Sequence, residues 1–364
     1  MMKIVLKSAL CLILAGGLAY GIFFAWTWLI TFHPARLQKE KVRCNGPAPT
    51  LQPGQQIKVL SWNVQYMAGK GYYFFYEGGK DKRPSAASIQ HTLESVAEII
   101  TAKDPDIVLL QEVDTGAART DYRNQVHDLL ALLPDKYRCR TSAWYWKADF
   151  VPHPAIFGAV GMRLVILSKY RISHSMRHQL PLIPEGPLRR QYNLKRAVLE
   201  ARLPVAGGRS FAVLNTHLSA FAQGTDTMER QVAEVKNILD RLSAEDIPWI
   251  AGGDYNLLPP GKAYERLPQK AKRAYRSQTE IKPLFDAYRA VPGKEALNSE
   301  DPAPWYTHFP NDPAIDQPDK TIDYIFYADS LETVSRNVRQ ADTWSISDHL
   351  PVIAEFRLPK GPRK

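Results

Sequence analysis

Eight short runs of β-branched and other apolar residues recur between residues 58 and 356, and they alternate with segments of helical periodicity. Two segments, 88–102 and 227–242, carry apolar residues at helical spacing and are predicted to be helices. Strands that alternate with helices in this way predict one α/β domain in which helices pack on sheets. The predicted strands cover residues 58–62, 106–110, 158–167, 197–203, 211–215, 248–252, 321–327 and 352–356.

The composition limits the class of protein. The chain has 364 residues, of which 45% are hydrophobic and 23% charged, and this excludes a disordered chain, a collagen-like fibre and a small disulfide-stapled domain. The formal net charge is +10, but residues 1–43 carry +5 and the last five residues +3, so about +2 remains for the rest. A non-specific DNA-binding domain would carry its excess charge on the folded part, so the distribution argues against that function.

Residues 8–32 contain no charged side chain. A helix of this length would span ~37 Å, which exceeds the roughly 30 Å hydrocarbon core of a bilayer. The sequence therefore predicts a leader over residues 1–7 and a transmembrane anchor over residues 8–32 of a single-pass membrane protein. A cleaved signal peptide is the alternative, because Gly17 and Ala19 would suit a small-residue cleavage site.

The rest of the chain divides into a linker over residues 33–56, a folded domain over 57–358 and a basic tail over 359–364. Two lysines precede the apolar run and four Lys or Arg residues follow it, which by the positive-inside rule favours a cytoplasmic domain. A short leader before a long translocated domain is the commoner arrangement, and we expect an extracytoplasmic domain, periplasmic or at the cell surface. Cys44 and Cys139 are either a disulfide in an oxidising compartment or two thiols in a reducing one, and the sequence leaves both open.

Short polar clusters follow several of the predicted strands. Loops at strand ends are where binding residues usually lie on a rigid scaffold, so these clusters predict one site at an edge of the sheets. Each cluster alone is also explained by a turn, a helix cap or a solvated strand end. The clusters are Ser61-Trp62-Asn63, Gln111-Glu112, Asn215-Thr216-His217, Gly253-Asp254-Tyr255-Asn256 and Ser347-Asp348-His349, with Asp323 inside an apolar run.

Taken together, the clusters supply what phosphoester hydrolysis needs: a hard cation, an oriented water and donors to the phosphate oxygens. Glu112 and Asp348 are oxygen ligands suited to Mg²⁺, and the Asn63 carbonyl adds a third contact. Asp254 would orient or deprotonate the attacking water, and Asn256, two residues on in extended chain, would hold the water or a phosphate oxygen.

Two histidines complete this predicted site. His217 and His349 would donate to phosphate oxygens, and Asp323 would keep His349 protonated by favouring its charged form. Asp323 has the strongest individual claim, because a carboxylate inside an apolar strand is costly to bury without a partner.

In this order, the motifs resemble those of the endonuclease/exonuclease/phosphatase superfamily, over nearly all of residues 57–358. The resemblance implies a four-layer α/β sandwich, with two mixed β-sheets face to face and helices outside, and a catalytic site at one edge. It implies divalent-metal chemistry with Mg²⁺, or alternatively Mn²⁺, and the same roles for the residues named above; whether Asp348 is a direct ligand varies within the family. The motifs that carry the resemblance are Leu60-Ser61-Trp62-Asn63-Val64, Leu110-Gln111-Glu112-Val113, Asn215-Thr216-His217-Leu218, Gly253-Asp254-Tyr255-Asn256, Ile322-Asp323-Tyr324-Ile325 and Ser347-Asp348-His349.

The substrate is predicted from features outside these motifs. Aromatic residues cluster in 66–76 and 144–150, and they would enter a lipid interface or stack on bases if exposed, or add to the core if buried. Phe74, Phe75, Lys195 and Arg196 are predicted substrate contacts. A tethered domain meets lipid at high effective concentration, which favours a phosphodiesterase acting on a phospholipid or sphingolipid headgroup, similar to neutral sphingomyelinases, with the bilayer as partner and no obligate protein partner. The alternatives are an extracytoplasmic nuclease, an inositol-phosphate-type phosphomonoesterase and a catalytically silent membrane-bound binding module.

Overall fold

The computed structural model describes residues 2–220, 222 and 224–361, so the end of the predicted basic tail lies outside the described residues. Its α-helices are α1 (Met2–Ile30), α2 (Ala86–Lys103), α3 (Gln125–Leu132), α4 (Pro187–Tyr192), α5 (Thr227–Ala244), α6 (Ala263–Arg266), α7 (Gln269–Lys272), α8 (Lys282–Ala287) and α9 (Lys294–Asn298). Its strands are β1 (Leu37–Lys39), β2 (Val42–Cys44), β3 (Gln56–Asn63), β4 (Ile107–Asp114), β5 (Cys139–Val151), β6 (Gly158–Ser168), β7 (His174–Gln179), β8 (Ala197–Val205), β9 (Arg209–His217), β10 (Trp249–Asp254), β11 (Arg289–Val291), β12 (Asp323–Tyr327), β13 (Glu332–Val338) and β14 (Val352–Arg357).

The strands form two mixed seven-stranded sheets. Sheet I has the order β13-β14-β3-β4-β6-β5-β2, and sheet II has the order β1-β7-β8-β9-β10-β12-β11. Val59 and Leu109 of sheet I and Val213 and Ile250 of sheet II are fully buried in one core cluster between the sheets. A second cluster packs α2 on the outer face of sheet I, and a third packs α5 and α8 on the outer face of sheet II. The predicted four-layer α/β sandwich is therefore confirmed.

The two long helices of the domain form where apolar spacing predicts them. On α2, Ile89, Leu93, Val96 and Ile100 are buried against sheet I, so its apolar stripe faces the core. The Ser85 side chain accepts a hydrogen bond from the backbone N–H of Ser88 and caps the first turn of this helix. These contacts fix α2 behind β3 and β4, whose ends form part of the site described below.

Residues 33–56, predicted as a linker, carry two strands in the structure. β1 pairs with β7 at the edge of sheet II, and β2 pairs with β5 at the edge of sheet I. A disulfide joins Cys44 to Cys139, with the two Cα atoms 4.1 Å apart. Each strand has only three residues, one of them basic, so neither shows the apolar alternation by which longer strands are predicted. The segment after α1 is thus fixed to both sheets.

α1 joins the domain at a defined edge of the sandwich. The segment 4–30 is long and apolar enough to cross a membrane, a property it shares with signal sequences near an N-terminus. Thr31 pairs with Ala148, and Cys44 pairs with Cys139, so the chain that leaves α1 runs antiparallel along β5 from its end towards its start. α1 therefore lies beyond the end of β5.

The direction of β5 relates α1 to the rest of sheet I. β5 is antiparallel to β6, and β6 is antiparallel to β4, so β5 and β4 point the same way. The end of β5 therefore lies at the edge of the sandwich where β4 ends, and α1 is attached at that edge.

A buried carboxylate ties the outer face of sheet II to α5. Glu200 on β8 accepts from His178 Nε2 at 2.9 Å, from Arg202 Nε and, at 3.3 Å, from Arg241 Nη2 on α5. Burial raises the pKa of Glu200, but the hydrogen bond from His178 and the charge of Arg202 outweigh it and lower the pKa to about 2, from a usual value of 4.5. The ionised form of Glu200 therefore stabilises the folded state.

The disulfide should stabilise the domain. Replacing both Cys44 and Cys139 by Ser should lower the free energy of unfolding by about 3 kcal/mol, because the bond closes a long loop in the unfolded chain. Thermal melting and thiol titration in denaturant check this, and the oxidised wild-type chain should show one free thiol, Cys11. Cys11→Ser is the control and should melt with the wild type; three free thiols in the wild-type chain purified without reductant would contradict the bond.

The Glu200 network should make stability depend on acid pH. Its contribution is complete above the unfolded pKa of about 4.5 and is lost as the pH falls towards the folded pKa of about 2. At pH 7, Glu200→Gln should therefore unfold about 3 kcal/mol more easily than the wild type, and at pH 3 the gap should shrink. Urea unfolding at both pH values measures the gap, and a gap that does not change with pH would refute the assignment.

Candidate active site

Strand register brings the predicted site residues to one edge of the sandwich. In sheet II, Asp254 at the end of β10 pairs with His217 at the end of β9 and with Asp323 at the start of β12. In sheet I, the parallel pair β3 and β4 places Asn63 beside Gln111, one residue before Glu112. Each sheet thus contributes half of the site.

Buried amide groups join the two halves. Gln111 Nε2 on sheet I donates to Asn215 Oδ1 on sheet II at 2.7 Å, and Asn215 Nδ2 donates in turn to the carbonyls of Leu110 and Val165 at 2.9 and 2.8 Å. One layer nearer the edge, Asn63 Nδ2 donates to Asp254 Oδ2 at 3.0 Å. These bonds set the spacing between the sheets at the site.

Gly253 permits the close approach of β10 to β9. Its φ is 156°, and a Cβ atom at this position would lie 2.0 Å from the Thr216 carbonyl oxygen. No other residue fits there without moving one of the two strands. The glycine therefore places Asp254 directly opposite His217.

Asp254 is the most connected carboxylate of the site. It is 1% exposed, and its Oδ2 lies 3.0 Å from Asn63 Nδ2, 3.2 Å from His217 Nε2 and 3.6 Å from His349 Nε2. Its Oδ1 accepts the backbone N–H of Asn256 at 2.9 Å. Burial raises the pKa of Asp254 to about 7, with a further rise from Asp323 and an opposing effect of His349. A carboxylate with such a pKa is suited to accept a proton near neutral pH.

His349 forms a buried ion pair with Asp323. Its Nδ1 donates to the two carboxylate oxygens at 3.1 and 2.9 Å, and its backbone carbonyl accepts from Trp62 Nε1 at 2.8 Å. Burial alone would lower the pKa of His349, but the charges of Asp323, Asp254 and Asp348 outweigh it and hold that pKa well above 6.5. His349 is therefore a cationic donor.

His217 has the opposite charge state. Burial, followed by the positive charges of Arg196 and His349, holds the pKa of His217 well below 6.5. Its Nε2 faces Asp254, and its Nδ1 lies 3.3 Å from the Tyr145 hydroxyl and 3.8 Å from Glu112 Oε1. A neutral imidazole with its proton on Nε2 can donate to Asp254 from that atom and accept from the Tyr145 hydroxyl at Nδ1. The two histidines thus differ in charge although their sequence contexts suggest equal roles.

Glu112 stands on a bulge at the end of β4. The pairing with β6 shifts between Leu110 and Val113, and Glu112 has a left-handed φ of 57°. Bulges re-aim side chains next to active sites, and a left-handed φ is rarely adopted outside glycine. The Glu112 side chain points to Asn63, whose Nδ2 donates to its Oε1 at 3.2 Å.

Buried negative charge indicates that this region suits a cation. Burial raises the pKa of Asp348 to about 6, and Glu112 adds to the rise while His349 and Lys70 oppose it. Burial also raises the pKa of Glu77 to about 8, with further rises from Asp348 and Glu112. Carboxylates that repel one another in this way fit a hard divalent ion, which would relieve the repulsion, and their oxygen donors suit Mg²⁺.

Two close groups of ligand atoms lie at the same edge: His308, Asp348 and His349, and Asp254, Asp323 and His349. His349 belongs to both groups, but its Nδ1 is already bonded to Asp323. Glu112 belongs to neither group. The all-oxygen set of Glu112, Asp348 and Asn63 matches the preference of Mg²⁺ better than either group with histidine.

Asn256 differs from the extended geometry that the sequence suggests. Its φ is 54°, so it turns the chain instead of continuing the strand. Its backbone N–H donates to Asp254, and its Nδ2 donates to the Leu218 carbonyl at 3.1 Å. Asn256 therefore lies beside Asp254 because of a tight turn and not because of strand alternation.

The four predicted substrate contacts fall into different environments. Phe74 is 1% exposed and packs in the core between the sheets. Phe75 is half-buried and stacks on His153. The Lys195 ammonium is buried and donates to the carbonyls of Gln191 and Asn193 at 3.2 and 2.8 Å, so in the structure it holds a loop.

Arg196 is the predicted contact that remains available. It is buried, its guanidinium lies 5.2 Å above the Tyr145 ring, and its charge contributes to the low pKa of His217. Its Nε and Nη1 have no hydrogen-bond partner within the part of the chain that the structure describes. A buried guanidinium with two free donors next to the site is suited to bind an oxyanion.

Some groups at this edge could not be predicted from the sequence. Tyr145 comes from β5, a strand that was not predicted, and Glu77 and Lys70 lie in the aromatic segment after β3. Lys70 Nζ donates to the carbonyls of Phe309 and Pro310 at 2.8 and 2.6 Å. None of these residues has a local motif that signals a role.

Comparisons with known proteins agree with this geometry. A sequence profile described as "Endonuclease/Exonuclease/phosphatase family" matches residues 60–349. A search of curated protein sequences gives no significant match. Similar solved structures include an endonuclease/exonuclease/phosphatase from Beutenbergia cavernae DSM 12333, with 21% identity, a TM-score of 0.57 and coverage of 84% of this chain and 72% of that one.

Two further structures are similar over most of their own length. The human Nocturnin catalytic domain with bound sulfate anion has 19% identity and a TM-score of 0.52, and the match covers 87% of this chain and 96% of that one. A family protein from Bacteroides thetaiotaomicron has 15% identity and a TM-score of 0.52, with coverage of 84% and 99%. At these identities the likeness shows the fold.

Gly253→Ala should disrupt the site. The added Cβ would collide with the Thr216 carbonyl, so β10 must shift, and we expect a loss of about 1–3 kcal/mol in stability together with loss of hydrolysis. Gly186→Ala is the matched control, because a Cβ there would meet nothing within 4 Å. Urea unfolding and phosphodiester hydrolysis are the measurements. An active, fully stable Gly253→Ala protein would show that the close strand approach is not required.

Proposed function

Because this chain belongs to the endonuclease/exonuclease/phosphatase family, whose members are metal-dependent phosphoester hydrolases, we propose that it is a membrane-anchored phosphodiesterase. Its substrate in this proposal is the headgroup phosphodiester of a phospholipid or sphingolipid. The anchor is α1, and the catalytic domain is extracytoplasmic, which the Cys44–Cys139 disulfide supports because such bonds persist in oxidising compartments.

The residues of the site divide the work of hydrolysis. Asp254 orients a water molecule and takes its proton as the water oxygen bonds to phosphorus. The bond from phosphorus to the lipid alcohol breaks, and the leaving alkoxide takes up a proton from solvent. The His349 imidazolium, held by Asp323, donates to a phosphoryl oxygen, and the free donors of Arg196 bind a second one. Neutral His217 donates from Nε2 to Asp254 and keeps that carboxylate in place.

A divalent ion completes this arrangement. Glu112, Asp348 and Asn63 would hold Mg²⁺, which supplies neutralisation of the phosphate charge when it is bound. The amide of Asn63 is oriented here with its nitrogen towards Glu112 and Asp254. Its oxygen accepts the backbone N–H of Gln65 at 3.1 Å, and the second lone pair of that oxygen would serve a cation while the bond to Asp254 stays intact.

The observation that carries the lipid substrate is the place where α1 joins the domain. The chain leaves α1 beyond the end of β5, at the edge where Glu112 and Asp254 lie. Thr31 and Phe32 are already bonded to β5, so little free chain separates the helix from the catalytic edge. If α1 spans a bilayer, the site is presented to the lipid headgroups of that bilayer.

A nuclease is the second candidate, and a specific surface favours it. α4 lies beside the catalytic edge, where Tyr192 accepts a hydrogen bond from Trp146, and it carries Arg189 and Arg190. The Arg189 side chain is 81% exposed. Such arginines would bind the backbone of a nucleic acid or the phosphates of an anionic membrane.

One assay separates these functions. The full chain is placed in detergent-free nanodiscs whose bilayer contains phosphatidylcholine and sphingomyelin, and it is incubated with Mg²⁺ or EDTA alongside supercoiled plasmid. We expect headgroup release that requires the metal, and Asp254→Asn as the control should lose at least 100-fold in rate, because the water loses its proton acceptor. Plasmid nicking without headgroup release would overturn the lipid substrate and favour the nuclease.

A further inference from the structure

A cavity of about 230 Å³ lies next to the catalytic edge. Its walls come from the aromatic segment 74–76, the turn 118–122 and the tip of the β5–β6 hairpin, residues 154–160. Phe75, Tyr122, Trp146 and Phe157 line it. This cavity is called the aromatic cavity below.

The chemistry of the aromatic cavity is amphiphilic. Most of its walls are aromatic or aliphatic, and the charged residues among its described walls are the cations Lys82, Arg83 and Arg119. Arg119 is paired with Asp114, and Arg83 is paired with Asp121. No acidic side chain is among the residues described as lining it. Such a cavity suits a molecule with a hydrocarbon body and a negatively charged group close by.

The aromatic cavity and the active site are lined by residues that are adjacent in the chain or in direct contact. Trp146 lines the cavity, and the preceding residue, Tyr145, places its hydroxyl 3.3 Å from His217 Nδ1. Tyr76 lines the cavity too, and its hydroxyl contacts the Tyr66 hydroxyl, while the charge of Glu112 affects the pKa of both tyrosines. A ligand with its phosphate in the site therefore has the aromatic cavity within reach of its remaining part.

The rim of the aromatic cavity exposes large aromatic side chains. Phe157 is 73% exposed, Tyr122 63% and Tyr76 48%. Phe157 also has a left-handed φ of 35°, which is strained for an aromatic residue. A cluster of exposed aromatic side chains marks a surface that contacts an apolar partner.

The position of α1 identifies this partner as the bilayer. The bridge between Thr31 and Ala148 lies three residues before the end of β5, so the chain after α1 meets the strand about 10 Å from the end of β5. The chain enters from beyond the end of β5, on the side of the tip. Phe157 at the rim of the cavity and the C-terminal end of α1 therefore lie at the same edge of the sandwich.

We propose that the aromatic cavity binds the hydrocarbon segment of a membrane lipid next to its phosphodiester. Phe157 and Tyr122 at the rim contact the bilayer interface, and the lipid enters the cavity from there. This inference rests on the lipid substrate proposed above and deepens it, because it assigns the site that recognises the apolar part.

The first test measures binding without turnover. Full-length Asp254→Asn protein is placed in nanodiscs that contain phosphatidylcholine with a photoreactive group near the glycerol end of one acyl chain, and cross-linked peptides are identified by mass spectrometry. We expect cross-links in residues 118–122 and 154–160 as well as in α1. Cross-links in α1 alone would overturn the cavity assignment while leaving lipid hydrolysis intact.

This experiment also separates the two proposals. If Asp254→Asn protein is cross-linked at the cavity but wild-type protein releases no headgroup, lipid binding in the cavity is supported and the proposed lipid hydrolysis is overturned. If neither α1 nor the cavity is cross-linked, both lipid binding in the cavity and the membrane anchor are overturned.

The second test fills the cavity. Ala159 lines it and is half-buried, so Ala159→Trp should exclude hydrocarbon. The ratio of long-chain lipid hydrolysis to bis(p-nitrophenyl) phosphate hydrolysis should fall about ten-fold or more, since excluding a few methylene groups from an apolar site has this effect. Ala244→Trp, at an exposed position on α5, is the matched control and should keep the wild-type ratio.

Phe157→Ser changes the rim of the aromatic cavity without adding volume inside it. It should lower the same hydrolysis ratio, because it removes an exposed aromatic contact with the bilayer interface. If Ala159→Trp and Phe157→Ser both reduce hydrolysis of the two substrates equally, or leave the ratio unchanged, the aromatic cavity does not bind the lipid chain.

Discussion

The hydrogen bond between Asn63 and Asp254 crosses from one sheet of the sandwich to the other, and the site is assembled around it. The interior between the sheets is apolar, so the bonds that cross it near this edge fix how far apart the two halves of the site stand. A polar bond in such a setting is valuable because neither partner has water as an alternative. Each half of the site would be incomplete without the spacing that this bond and the Gln111–Asn215 bond maintain.

Charge is distributed unevenly within the small volume of the site. His349 is surrounded by three carboxylates and stays protonated, whereas burial and the charge of Arg196 keep His217 neutral. The same side chain therefore serves as a cationic donor at one position and as a neutral orienting group at the other. This division follows from neighbours that are distant in the sequence, so it is a property of the fold and not of either motif.

Much of the fold follows from the sequence because long buried elements carry strong patterns. α2 and β3 are defined by apolar residues at regular spacing, and the order of their polar ends indicates the family. β5 was not predicted, because its inward residues alternate with Trp, Arg and Lys, and one of its bulges interrupts the alternation. The three-residue strands β1 and β2 are too short to show any period.

The site was predictable where a residue lies within a motif and less so where its role depends on burial. Asp254, Asp323 and His349 are brought together as the motifs suggest. Phe74 and Phe75, by contrast, are adjacent in the sequence but differ in burial. Phe74 is fully buried, whereas Phe75 is half-buried and stacks on His153, and only the surrounding chain decides which residue of such a pair is buried. Glu77 shows the same limit, since a single glutamate in an aromatic segment has no pattern to reveal its position near other carboxylates.

The attachment of the segment after α1 has a consequence for the reach of the enzyme. β1 and β2 are hydrogen-bonded to both sheets, and the disulfide fixes the second of them, so the domain cannot swing away from the helix as it would on a flexible tether. If α1 spans a bilayer, as proposed, an enzyme held in this way works in two dimensions. It would sample only lipids that diffuse laterally in its own leaflet, and a neighbouring membrane would stay out of its range however closely it approached.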